Sequence, residues 1–151
     1  MQNLDISLKI LNPKIAEFLP KYATAGSAAV DISACIDTPL VLKPNKTILI
    51  PSGFAIHINN ANFAAVILPR SGLGHKNGII LGNTIGLIDS DYQGEIKVSL
   101  FNRSQEAFEI TPFMRIAQMM FIPVQQVNFL LVDDFAENSQ RNIGCFGSTG
   151  V

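Results

Sequence analysis

Apolar residues in this chain recur at every second position. Ile48, Ile50, Phe54, Ile56 and Ile58 lie along one stretch, and Ile96, Val98 and Leu100 alternate with Lys97, Ser99 and Phe101 along another. A period of two turns one side of an extended strand toward a core and the other toward solvent, which demands β-structure rather than amphipathic helix. Short apolar runs at 4–11, 28–34, 39–42, 46–50, 53–58, 63–68, 79–81, 84–88, 95–101, 106–110 and 113–124 are separated by Pro, Gly, Asn and Asp. Many short strands at this spacing predict an all-β sandwich, barrel or jelly roll. One short helical turn is expected in Ser71–Gly78, capped by Ser71 and stopped by Gly78.

A chain of 151 residues fits one domain with a single core. Hydrophobic residues make up 48% and charged ones 15%, which is apolar for a small monomer, so part of the surface is expected to face another subunit. No run of eighteen apolar residues occurs and no basic segment leads into an apolar one at the start. Neither a membrane span nor a secretory signal is therefore expected, and the default location is cytoplasmic. A net charge of −1 gives no general pull on polyanions, so duplex nucleic acid is not an expected partner. Cys35 and Cys145 stand alone, without zinc-ligand spacing or a disulfide framework. Cys35 suits a small buried hydrophobe and Cys145 an exposed thiol. From Asp133 onward the chain is richer in Gly, Ser, Asn and Asp, so a body of 1–132 and a tail of 133–151, mobile until ligand arrives, are expected.

Three segments carry chemistry. Gly82–Glu95 ends an apolar run in Asp89, Asp91 and Tyr92. Taken by itself it suits first an acidic β-turn, and then a lip where a carboxylate deprotonates water while an aromatic ring lies against a sugar or base. Pro69–Gly74 offers Arg70, the Ser71 hydroxyl and backbone N–H groups at a helix start, a phosphate-holding set or an ordinary cap beside a surface arginine. The tail Arg141–Gly150 joins an arginine, glycines, Ser148 and Thr149 around Phe146, fit for a flap over a bound base or for docking on a neighbour. Six of the eleven glycines lie between 72 and 94, and 144, 147 and 150 hold three more. Gln118, an amide in an apolar strand beside Arg115, needs a partner across a subunit interface or on a ligand. His57 and His75 suit surface positions.

Ala25–Ala34, Pro69–Gly78, Gly82–Glu95, Arg115–Gln118 and the glycine-rich tail together resemble, in order and spacing, the five motifs of the trimeric deoxyuridine triphosphatase (dUTPase) family, most of all its bacterial members. The resemblance spans nearly the whole chain. It implies a single-domain jelly-roll-like β fold, a homotrimer with three active sites at subunit interfaces, and Mg²⁺-dependent hydrolysis of dUTP to dUMP and pyrophosphate. That reaction lowers dUTP and supplies dUMP for thymidylate synthesis.

The resemblance also implies residue roles. The aspartate matching Asp89 activates the water that attacks the α-phosphorus, and the tyrosine matching Tyr92 packs under deoxyribose, where a 2′-hydroxyl would collide. The hairpin from Asn83 through Leu87 and Ile88 to Asp89 reads uracil, and Lys97 falls beside the substrate. Arg70, Ser71 and Gly72 match the phosphate segment and Gln118 a further phosphate-side contact. Arg141 matches the γ-phosphate clamp, and Phe146, followed by Gly147 and Ser148, matches the aromatic that covers uracil. Asp31 matches a carboxylate near the water shell of the metal, with Mg²⁺ itself held by substrate phosphates and waters.

Two rivals remain at this stage. A dCTP deaminase shares a related fold and phosphate segment, but Asp89 with Tyr92 argues against it. A non-catalytic nucleotide-sensing trimer would not need a water-activating carboxylate. The tail departs from the family at Asn142 and at Cys145, where glycine is usual. If closure needs positive φ at 145, cysteine costs ~1 kcal/mol or more while leaving the base and water intact. Activity should therefore survive in the native chain, and Cys145→Gly should tighten dUTP affinity. Turnover and affinity that both stay unchanged would remove any role for this substitution.

Overall fold

β8 (Glu95–Asn102) shows the alternation most plainly: Ile96, Val98, Leu100 and Asn102 are buried while Lys97 is exposed. The structure, a computed structural model, describes residues 4–137. Within them the apolar runs become β1 (Ser7–Ile10), β2 (Val30–Ser33), β3 (Leu40–Leu42), β4 (Thr47–His57), β5 (Phe63–Pro69), β6 (Ile79–Leu81), β7 (Gly86–Ile88), β8, β9 (Phe108–Ile110) and β10 (Arg115–Pro123). They form two four-stranded sheets, ordered β1-β4-β8-β6 and β2-β10-β5-β7, and a two-stranded ribbon of β3 and β9. Every described pairing is antiparallel. Each four-stranded sheet keeps two free edges, so of the architectures expected from sequence the sandwich is the one formed, and the barrel is not closed.

One core lies between the sheets. Phe54 and Ile56 of β4 and Ile96, Val98 and Leu100 of β8 meet Val30 and Ile32 of β2, Ile67 of β5, and Ile116 and Met119 of β10. Burial of these side chains drives the sheets together, at about 25 cal/mol per Å² of apolar surface removed from water.

The runs at 46–50 and 53–58 join into one strand across Pro51-Ser52-Gly53. A register shift against β8 falls there, between Pro51 and Ala55, and Gly53 sits at φ +76. This irregularity stores two extra residues, four steps along β4 facing two along β8, and a side chain at Gly53 would stand 2.6 Å from Cys35 Sγ. Its backbone is fully used: the carbonyl accepts from Leu11 N at 2.8 Å and Asn12 N at 3.0 Å, and the N–H donates to Glu95 Oε1 at 3.1 Å. Cys35 is buried, and burial first, then the Glu95 and Asp37 carboxylates, pushes its thiol above the ordinary range. It is an inert filler.

A 3₁₀ helix, Pro13–Phe18, was not anticipated. Its sequence signal was present: Asn12 caps Lys14 N at 3.1 Å and Pro13 holds the first position. The anticipated helix, α1 (Ser71–Lys76), forms, but Arg70 and not Ser71 takes the cap position, with φ −81, ψ 131 and no side-chain cap bond. Gly78 follows its end at φ +69, as expected of a helix stop.

After β10 the chain leaves the sandwich. Val124 N still donates to Asn62 O at 2.8 Å, but Phe129, Leu130 and Leu131 are 94%, 85% and 102% exposed. No helix among the described residues is long and apolar enough to cross a membrane.

Candidate functional site

β10 lies between β2 and β5, and its register sets Gln118 opposite Asp31 on one side and Leu68 on the other. Arg70 follows the end of β5, so three distant segments converge at one end of this sheet. Asp31 binds two guanidiniums there. Arg70 Nε donates to Oδ1 at 2.8 Å, and Arg115 Nη1 donates to Oδ2 at 3.0 Å. Arg70 Nη1 also donates to the Arg115 carbonyl at 3.3 Å, and Gln118 Nε2 donates to the Pro69 carbonyl at 2.9 Å.

Arg115 and Gln118 are three residues apart, a spacing that puts side chains on opposite faces of a regular strand. The register of β10 against β2 shifts between Arg115 and Ala117. That irregularity returns Arg115 to the side of Gln118, and both line one concavity of about 410 Å³ with Lys21, Asp31, Arg70 and Ser71. Three cations against one carboxylate leave this hollow net positive. Within α1, Gly74 N donates to Arg70 O at 2.9 Å, and the N–H groups of Ser71, Gly72 and Leu73 come before this first intrahelical donor and have no carbonyl of the helix to bond. With its hydroxyl not spent on capping, exposed Ser71 adds a further donor. Guanidiniums, backbone N–H groups and hydroxyl together suit a chain of phosphates.

A second cluster is built on β7. Thr84 sits at φ 62, its hydroxyl and Ile85 N both turned to the Asn83 carbonyl at 2.6 and 2.7 Å, which makes the tight bend between β6 and β7. Gly86, Leu87 and Ile88 then pair with Ile67, Val66 and Ala65. Leu87 is 63% exposed, an apolar side chain presented outward beside exposed Asn83. Beyond β7 comes a turn in which Tyr92 N donates to Asp89 O at 3.2 Å and Asn59 N to Ser90 O at 3.0 Å. The Asp89 side chain is exposed, and the Tyr92 hydroxyl donates to the Glu95 carbonyl at 3.1 Å. The turn is thus acidic and well formed, and it still presents a carboxylate and a ring to solvent. Lys97, one turn of pleat further on, has its ammonium 3.8 Å from Glu95 Oε2 and half its side chain exposed.

The two clusters do not meet within the chain. Ile88 pairs with Ala65, so Asp89 falls beside Ala64, whereas Arg70 lies six residues further along β5. At 3.3 Å per residue that is roughly 20 Å. Arg115 entered the sequence reading as an interruption of an apolar strand and as the first residue of the Arg115–Gln118 motif, without a site role of its own; the structure puts it in the same hollow as Gln118. His57 is half-buried, its Nε2 3.3 Å from Gln93 Nε2, and His75 is exposed on α1, so neither joins a cluster. Arg141, Phe146, Gly147 and Ser148 lie outside the described residues. No group of three His, Cys, Asp or Glu able to hold a metal occurs among the described residues.

A family model described as dUTPase matches residues 17–150. The deoxyuridine 5'-triphosphate nucleotidohydrolase of Burkholderia multivorans is 57% identical over 147 residues, covering 97% of this chain and 99% of that protein. Its namesake in Neisseria meningitidis serogroup C is 55% identical over 148 residues, 98% of each. Among solved structures, a Staphylococcus bacteriophage 80alpha dUTPase with dUPNHPP superposes with TM-score 0.88 at 20% identity, over 99% of this chain and 100% of that one. A dUTPase of phage phi11 of S. aureus, described with a structural Mg(II) ion, gives 0.78 at 17% identity, over 88% and 99%. These distant structures share the fold of this chain.

Because Asp31 is about 28% exposed, its charge contributes more than a surface pair and less than a buried one. Asp31→Ala is expected to lower unfolding free energy by about 1–2 kcal/mol in urea titration. Asp31→Asn, which keeps shape without charge, should lose nearly as much; wild-type stability in that variant would show that packing, not charge, holds the arginines.

Proposed function

The chain belongs to the dUTPase family, and from this premise we infer that it hydrolyses dUTP to dUMP and pyrophosphate. The observation that carries the reading is the separation of a cationic phosphate-sized hollow from an exposed carboxylate and tyrosine at the other end of β5. One chain cannot bring both to one substrate. Two copies can, if the hollow of one abuts the Asp89 turn of the next, and the homotrimer implied by the sequence closes such a ring three times. The exposed Val127–Val132 segment supports assembly, since a monomer rarely leaves so contiguous an apolar stretch in water.

In this reading Arg70, Ser71, Gly72 and Gln118 bind the phosphates of dUTP, with Arg115 set beside them by Asp31. Asn83, Leu87 and Ile88 receive uracil, and Tyr92 lies under deoxyribose with Lys97 nearby. Asp89 takes a proton from water as the oxygen attacks the α-phosphorus. Pyrophosphate leaves, its charge spread over arginines and backbone donors already in place. Arg141, Phe146, Gly147 and Ser148, within the span of the family match, supply the γ-phosphate clamp and the cover over the base.

The residues suit Mg²⁺ that arrives with the substrate. Each Asp31 oxygen gives one lone pair to an arginine and keeps another for water, so Asp31 fits contact with a metal's water shell. Asp31 would face the water shell of such an ion, whose chemistry there would be to neutralise charge on the phosphates. The reaction belongs in the cytoplasm, where nucleotide pools are made.

Asp89→Asn should lower kcat by about 10²–10⁴-fold while a non-hydrolysable dUTP analogue binds within a few-fold of wild type. Near-native turnover would mean that another group is the base. Assaying dUTP, UTP, dCTP and dTTP in parallel separates this activity from deamination. A mixing experiment tests the shared site: Asp89→Asn and Arg70→Ala chains, each inactive alone, should regain hydrolysis when co-expressed. Mixed trimers that stay inactive would place both residues in one subunit's site.

A further inference from the structure

Glycine at position 94 has no backbone reason to be there. Gly53 and Gly78 are the described glycines with positive φ, and Gly94 is not among them. What it lacks is room. A Cβ built on Gly94 would fall on the Tyr92 hydroxyl oxygen, 2.6 Å from Cζ and 3.0 Å from Cε2. The Tyr92 ring is folded back over its own turn, its edge in the space a side chain would fill and its hydroxyl donating to the Glu95 carbonyl at 3.1 Å.

We propose that Gly94 is a positioning residue for sugar selectivity: by leaving this space empty it fixes the height and tilt of the Tyr92 ring against the pentose. The inference rests on the reading of Tyr92 as the platform beneath deoxyribose. The turn around the ring is pinned at three points, by Tyr92 N on Asp89 O, by Asn59 N on Ser90 O, and by Gly53 N on Glu95 Oε1. An added methyl therefore displaces the ring and not the backbone. Tyr92 is 43% exposed, so its ring can yield into solvent without breaking the core. Restoring an ordinary carbon–carbon contact from 2.6 Å needs a shift of about 1 Å. Ribose and deoxyribose differ by one oxygen atom, so a displacement of that size changes what the ring rejects.

The test uses the full-length enzyme and compares kcat/KM for dUTP and UTP. Gly94→Ala is expected to lower the dUTP/UTP ratio about tenfold, with dUTP turnover losing more than UTP turnover. Tyr92→Ala should lower the ratio at least as far, and adding Gly94→Ala to it should change nothing further, because the methyl then meets no ring. That double variant also guards against misfolding: its melting temperature should match Tyr92→Ala alone, even if Gly94→Ala by itself melts early. If Tyr92→Ala collapses the ratio and Gly94→Ala leaves it intact, the positioning role of Gly94 is overturned. An unchanged ratio in Tyr92→Ala would instead overturn the sugar-platform reading itself, and this inference with it.

Discussion

The fork at Asp31 organises the phosphate end of the molecule. One carboxylate from β2 holds a guanidinium from the end of β5 and another from the start of β10, so strands that meet through backbone ladders are also locked by charge where they end. Left alone, two guanidiniums at such range would repel and swing into solvent. With Asp31 between them they are aimed before any ligand arrives, and little ordering entropy is left to lose on binding. The carboxylate weakens the positive field of the hollow, yet Lys21, Arg70 and Arg115 outnumber it.

The rest of the site follows from strand length. β5 runs from Phe63 to Pro69 and pairs with β7 over its middle, with the Asp89 turn toward one end and Arg70 just past the other. Nothing in the sandwich can bend these seven extended residues so that their ends meet, because β10 pairs with them along their whole length. In the proposed function this rigid strand separates the phosphate-holding residues from Asp89 and Tyr92, which favours assembly as the way to unite them. In the proposed assembly, exposed Leu87 and Ile85 would be covered by substrate or a neighbouring copy.

Much of this was legible in the sequence because strand periodicity is a local property. The runs at 79–81 and 95–101 emerged almost residue for residue as β6 and β8, each bounded by glycine or a polar turn. Bulges were not legible. Pro51-Ser52-Gly53 looked like a break between two strands and is an irregularity inside one, since Gly53 tolerates φ +76 and the chain resumes its pairing. The same blindness affected the site: Arg115 and Gln118 belong to one motif in the sequence, but that they share a face depends on the shifted register of β10, which no local pattern reports. Helix capping misled in a smaller way, because Ser71 has the preferred chemistry for a cap while the backbone turns into helix one residue earlier. Asp31 was assigned from family likeness to the surroundings of the metal; its arginine partners are 39 and 84 residues away, and no local pattern reports pairings at that range.

The apolar stretch from Val127 to Val132 has a cost before it has a use. A chain just released from synthesis carries Phe129, Leu130 and Leu131 in water, on a protein whose net charge of −1 offers almost no repulsion against unrelated sticky surfaces. If the proposed assembly is right, maturation is a race between siblings and strangers, won by whichever collision buries those side chains first.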